Sequence, residues 1–273
     1  MQCLSPISIP NPKFGFAGEY LRLHVPCGKC EACLSRKRQD WYFRLKQELK
    51  QHVSSHFITL TYDEEHLPPD GCVKKRDCQL FMKRLRKAIE PYKVRYFLCS
   101  EYGPTTFRPH YHLILFGFPD SMNLDDVLHN VWKNGFVTIG TVTDASINYV
   151  CKYCITKSLE LDGKDPVFAL MSTKPALGSK YVDRYKSYHR SGLKFYCVDE
   201  FGKKQAMPRY YRERIFEDHH RLIHKRLCED LAQSRIEDLK HSYPSHNPYL
   251  LQHEQMQDYQ RKLKTTLEKT SKL

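Results

Sequence analysis

The stretch that most constrains this chain is Arg108-Pro109-His110-Tyr111-His112-Leu113-Ile114-Leu115-Phe116-Gly117. Aromatic and branched residues fill it, Pro109 can only sit at its start, and Gly117 closes it, so it predicts a β-strand buried on both faces. Side chains alternate along a strand. His110 and His112 therefore share one face with Ile114 and Phe116, while Tyr111, Leu113 and Leu115 point the other way into a core. Two imidazoles two residues apart on one strand are spaced to hold one metal ion. Spacing alone also fits two structural histidines, so the flanking elements decide how the pair is read.

Upstream, Val94–Glu101 reads as a second strand, and the short Tyr102–Phe107 loop makes an antiparallel hairpin with the His-x-His strand. That hairpin would return Glu101 to the histidines. A carboxylate with two imidazoles leaves open positions on a divalent ion for substrate oxygens and water. Downstream, Asp144–Lys157 reads as a helix capped by Asp144. Ile147, Val150, Cys151, Cys154 and Ser158 cluster on its inner side. Tyr149, Lys152, Tyr153, Thr156 and Lys157 lie opposite, so two tyrosines stand one turn apart with lysines beside them. A phenol titrates near pH ~10 and is a weak nucleophile alone; a nearby cation or metal-bound phosphate makes it a useful one.

The other elements are coarser. His56–Tyr62 reads as a strand with Phe57, Thr59 and Thr61 on one face. Helices are expected from Glu31 to Gln51, from Asp77 (as N-cap) to Ile89, and over Asn123–Trp132, with a strand over Gly135–Val142. Lys174–Tyr181 is a basic turn before a Tyr-rich helix. Leu193–Val198 and Gln205–Tyr211 suggest a last hairpin around Gly202. Residues 1–26, with four prolines, read as an extended arm. From Arg212 the chain is polar and helix-prone, a tail expected to be mobile or to mediate assembly; His219, His220 and His224 read there as surface residues.

Charge narrows the partner. The chain carries 44 Lys+Arg against 31 Asp+Glu, a formal net charge of +13. That excess points to a polyanion, most simply nucleic acid. Only 12 Lys+Arg against 10 Asp+Glu follow residue 211, so most of the excess lies beside the candidate site. Arg36, Arg38, Lys157 and Lys174 are the candidate DNA contacts. No apolar run is long enough for a membrane span, and no signal-peptide pattern opens the chain, so a cytoplasmic protein is expected. Eleven cysteines, several in Cys-x-x-Cys spacing, favour thiols or metal sites over disulfides. Cys27, Cys30 and Cys33 can converge on one ion, with Cys3 the nearest fourth ligand for structural zinc. The run also matches part of an iron–sulfur pattern, without its last cysteine and proline.

Together these motifs resemble the rolling-circle replication initiators of the microviruses, small single-stranded DNA bacteriophages, and most closely the gokushovirus branch. These belong to the HUH endonuclease superfamily, whose histidine motif is matched by His110-Tyr111-His112. Its first strand motif is matched by Phe57-Ile58-Thr59-Leu60-Thr61-Tyr62 and its two-tyrosine motif by Tyr149-Val150-Cys151-Lys152-Tyr153. Residues 25–33, Val-Pro-Cys-Gly-Lys-Cys-x-x-Cys, are typical of that branch. The resemblance spans roughly residues 1–211.

The resemblance implies an α+β fold, a central antiparallel sheet flanked by helices, with the His pair on a central strand opposite the tyrosine helix and a helical C-terminal tail. The expected division is an arm, cysteine cluster and basic helix over 1–52, an endonuclease core over 53–211, and the tail over 212–273. Mg²⁺ or Mn²⁺ would be held by His110, His112 and Glu101. Tyr149 and Tyr153 would alternate as nucleophiles at the replication origin, helped by Lys152 and more weakly by Lys157. The 3′ hydroxyl released would prime synthesis by a host polymerase, with a host helicase, in the bacterial cytoplasm. Two other readings stand beside this one. A transposase or relaxase of the same superfamily fits the histidines, although single-tyrosine transposases need no second tyrosine. A zinc-stabilised, non-catalytic single-strand DNA-binding protein fits the charge and the cysteines.

Overall fold

A computed structural model describes residues 3, 5–10, 22–153 and 163–269. The described elements run β1 (Ile7–Pro10), β2 (Arg22–Val25), α1 (Glu31–Leu49), β3 (Ser55–Tyr62), α2 (Lys75–Ala88), β4 (Arg95–Tyr102), β5 (Pro109–Phe116), α3 (Leu124–Val131) and β6 (Gly135–Thr141). They continue with α4 (Asp144–Tyr153), β7 (Ala169–Met171), α5 (Lys180–Ser191), β8 (Tyr196–Val198), β9 (Lys204–Ala206), α6 (Arg209–Ile215), α7 (Asp218–Ser242) and α8 (Pro248–Lys269). The fold is α+β, as expected. Two compact units divide it: residues 38–185, and residues 1–37 with 186–273.

The first unit holds a five-stranded antiparallel sheet in the order β6-β3-β5-β4-β7. The His-x-His strand, β5, is its middle strand. Tyr111, Leu113 and Leu115 point to one face with Ile58, Leu60 and Leu98, and meet Phe81 and Leu85 of α2 and Leu128 of α3. Ile114 and Phe116 point to the other face with Phe97, and meet Leu45 of α1 and Ile147, Val150 and Cys151 of α4. Burial on both faces explains why β5 reads as an almost unbroken apolar run. The polar positions at its N-terminal end escape that core and form the site.

Two helix starts differ from expectation. Lys74, not Asp77, occupies the N-cap of α2 and makes no side-chain cap bond. Asp77 instead accepts from Tyr62 Oη at 2.6 Å, and Tyr62 Oη stands 2.7 Å from Tyr111 Oη. Burial and the Asp77 carboxylate push the Tyr62 phenol well above its ordinary range. A buried hydroxyl needing a partner outweighed the helix terminus for that carboxylate. At α4 the reciprocal bonds are those of Thr143 and Ser146: Ser146 N donates to Thr143 Oγ1 at 3.2 Å and Thr143 N to Ser146 Oγ at 2.8 Å. Asp144, one residue inside, pairs with Lys46 Nζ of α1 at 2.6 Å, tying the two helices on that face together.

In the second unit, β1 and β2 pair antiparallel, Ile7 opposite Val25, where an arm without pairing was expected. β8 and β9 form the last hairpin, shorter than expected because residues 209–215 turn into α6. α7 and α8 are the helical tail. His219 is exposed, but His224 stacks on Phe195, ring centroids 4.0 Å apart, and is half-buried. It is thus a packing residue rather than a surface one.

Candidate active site

The β4–β5 register pairs Glu101 with His110 and Cys99 with His112. Cross-strand partners share a face, so Glu101 and His110 are adjacent, and His112 lies one step along the same face. Glu101 Oε2 stands 2.9 Å from His112 Nε2 and 3.4 Å from His110 Nε2. Glu101 and His112 are buried, 5% and 6% exposed, while His110 keeps partial access to solvent. The three ligand atoms lie within 4.8 Å of one another.

The far side of each ring is also engaged. His110 Nδ1 donates to the Arg108 carbonyl at 3.1 Å. In the neutral ring this bond leaves Nε2 with its lone pair, facing a carboxylate oxygen that is itself an acceptor. Two acceptors meeting this way are reconciled by a cation between them. His112 Nδ1 lies 3.1 Å from Thr59 Oγ1, and its ring stacks on Phe57, centroids 5.6 Å apart at 11°. Arg108 is anchored by its guanidinium on the Tyr62 carbonyl at 2.9 Å and on Glu64 at 2.5 Å. Backbone or hydroxyl partners on the distal nitrogens are how metal-binding imidazoles are oriented. The donor set and its support fit a divalent cation.

α4 lies over this face. Tyr149 Oη donates to Glu101 Oε2 at 2.9 Å, and its ring meets His112 edge-on, centroids 4.9 Å apart. One carboxylate oxygen thus faces both imidazoles and the phenol. Lys152, half-buried on the same helix, has its pKa lowered by desolvation; the nearby Glu101 carboxylate opposes that shift and Arg38 adds to it. An arriving phosphate would act as Glu101 does and favour the charged ammonium.

The other candidates fall as follows. Tyr153 ends α4, Arg38 is half-buried on α1, and Lys174 is exposed on the loop before α5. That loop is pinned by Gly178 N on Glu48 Oε2 at 2.7 Å and by Arg44 Nη2 on the Leu177 carbonyl at 3.0 Å. Arg36 donates to the Met207 carbonyl at 2.6 Å, an engagement that sequence spacing does not reveal. Lys157 and Cys154 lie outside the described residues. Cys3, Cys27, Cys30 and Cys33 come together in the other unit. Sequence reasoning missed Thr59, Phe57 and Arg108 as the supports of the histidines. The one available signal was alternation on β3, which puts Phe57 and Thr59 on one face.

Residues 55–158, from the start of β3 past α4, match a family described as replication-associated protein ORF2. The chain is 28% identical over 250 residues to replication-associated protein VP4 of Bdellovibrio phage phiMH2K, covering 80% of this chain and 78% of that one. It is 28% identical over 262 residues to replication-associated protein ORF2 of Spiroplasma virus 4, with 79% and 80% covered. Against replication-associated protein ORF4 of Chlamydia phage 1 it is 27% identical, covering 76% of this chain but 55% of the relative. No solved structure matches. With its middle-strand histidine pair, its tyrosine helix and these relatives in agreement, the chain is related to the replication-associated proteins of phages, and its resemblance is to the microvirus-type rolling-circle initiators.

Proposed function

We propose that the protein is a replication initiator that cuts single-stranded or supercoiled phage DNA at an origin by tyrosine transesterification and later rejoins the displaced strand. The observation that carries this reading is the convergence of Tyr149 Oη and both imidazole Nε2 atoms on one Glu101 oxygen. Glu101, His110 and His112 would hold Mg²⁺ or Mn²⁺, which when bound supplies Lewis-acid polarisation of the scissile phosphate.

The chain's own residues do the rest. Glu101 holds the Tyr149 hydroxyl toward the point where the ligand atoms converge, an orientation that lowers the entropic part of the barrier. Tyr149 Oη attacks phosphorus, the bond to the 3′ oxygen breaks, and the enzyme is left joined to the 5′ phosphate. The proton that the phenol gives up balances the one that the 3′ oxygen takes. Lys152 stabilises charge on the phosphate or the phenolate. Tyr153, one turn on, is the second nucleophile, which attacks the regenerated origin after a round of copying. The phosphotyrosine bond conserves the ester energy, so closing the circle needs no nucleotide cofactor. The liberated 3′ hydroxyl serves a host polymerase and helicase in the bacterial cytoplasm.

The test is cleavage of an origin-derived oligonucleotide in Mn²⁺, resolved on a denaturing protein gel. Wild type should give a covalent protein–DNA band that disappears in Tyr149→Phe/Tyr153→Phe, and the single variants should order the two attacks. Folded wild-type protein that binds the strand without any covalent band would replace this reading with a non-catalytic DNA-binding protein.

A further inference from the structure

The four thiols of the other unit are not used by that chemistry. Cys3 Sγ stands 3.8 Å from Cys30 Sγ, and Cys27 Sγ stands 4.0 Å from Cys33 Sγ. All four sulfurs lie within 4.8 Å of one another. Four thiolates bound to one zinc at ~2.3 Å in a tetrahedron stand about 3.8 Å apart. Disulfide sulfurs would be about 2.05 Å apart. In an iron–sulfur cube each thiolate takes a different iron, which demands wider spacing than this.

The surroundings match a half-buried anionic centre. Backbone N–H groups point at the sulfurs: Cys27 N at Cys3 Sγ, 3.2 Å; Cys30 N at Cys27 Sγ, 3.3 Å; Lys29 N at Cys27 Sγ, 3.4 Å. Gly28, with φ of +73°, supplies the left-handed residue that turns the chain between the first two ligands of the run. Cys30 directly precedes α1 and Cys33 lies in its first turn, so a tetrathiolate centre, net charge −2, would sit at the positive end of a helix dipole.

There is also a structural need. Cys3 lies just before β1 and Cys27 just after β2. These strands are four residues each, with Ile7 49% and Leu23 41% exposed. A two-stranded hairpin that buries so little is marginal alone in water. Joining both of its ends to the start of α1 through one ion would hold it.

We propose that Cys3, Cys27, Cys30 and Cys33 form a structural zinc tetrathiolate that ties the β1–β2 hairpin to the N-terminus of α1. The site shares no residue with the Glu101–His110–His112 set and stands whether or not that set supports strand cleavage. The metal content of the full chain, purified without chelator, should be about one zinc per protein, bound with tetrahedral closure. It should be unchanged in His110→Ala/His112→Ala and lost in Cys30→Ser/Cys33→Ser. If the serine variant fails to fold, cobalt replacement of wild type decides: a sulfur-to-cobalt charge-transfer band and tetrahedral d–d bands support the site. Cobalt spectra without thiolate bands, iron in place of zinc, zinc lost only with the histidines, or four thiols that react freely with a disulfide reagent before any chelator would each overturn it.

Discussion

Thr59 would touch no DNA, yet it faces the distal nitrogen of His112 at 3.1 Å. Thr59→Val keeps the volume and removes the hydroxyl. We predict that it lowers apparent metal affinity by about 10–100-fold, seen as a rightward shift in the Mn²⁺ dependence of cleavage while the fold is unchanged. An unmoved titration would mean that stacking on Phe57 alone orients the ring. His112→Ala removes a ligand itself and is expected to abolish the covalent band at any Mn²⁺ concentration tested. At this scale the sequence was informative where geometry is local. The period of a strand put His110 and His112 on one face, and a short loop brought Glu101 back to them. Thr59 and the Arg108 carbonyl were not legible, because a hydroxyl or a main-chain oxygen has no type-specific spacing that marks it as a support.

At the scale of elements, Glu48 of α1 joins pieces that are distant in sequence. It is 4% exposed and takes Arg95 of β4, His52 and the Gly178 amide. Burial alone would raise its pKa, but these partners outweigh burial and hold it below the ordinary 4.5. A folded-state pKa below the unfolded one gives stability that is complete above the unfolded value and is lost as pH falls through the folded one. Glu48→Gln should therefore lower stability at neutral pH by roughly 1–3 kcal/mol and flatten the decline in Tm below about pH 4.5, read from thermal melts across pH. The start of β6 makes a second prediction. Gly135 has φ of +144°, and a methyl there would meet the Thr61 carbonyl at 2.5 Å. Gly135→Ala should cost at least about 1–3 kcal/mol in denaturant unfolding, since neither backbone can give way without breaking the β3–β6 pairing. Element boundaries were readable from apolar period and from Gly and Pro. The cap of α4 was not, because Thr143, Asp144 and Ser146 are all plausible caps and only the pairing of Asp144 with Lys46 assigns them.

For the whole molecule, the formal charge of +13 argues for a strong electrolyte effect on DNA binding. Each phosphate neutralised on a single strand contributes about −0.7 to the slope of log affinity against log salt. With about four such contacts, a threefold rise in salt should weaken binding to a non-origin strand by roughly tenfold or more, measured by fluorescence anisotropy. A flat salt response would remove electrostatics as the source of affinity. The sheet order and the middle position of β5 were implied by resemblance rather than by pattern, since strand pairing is a non-local choice that alternation alone leaves open. The β1–β2 pairing was missed for a related reason: its short, mostly exposed strands carry no hydrophobic period. The β4–β5 hairpin has a further consequence for how the site comes into being. Glu101, His110 and His112 lie within one hairpin, whereas Tyr149 must be delivered across β6 and into α4. Closing the short loop costs little chain entropy, so the ligand set is expected to assemble before the nucleophile docks. Pulse-labelled hydrogen exchange during refolding should then show amides of β4 and β5 protected ahead of those of α4.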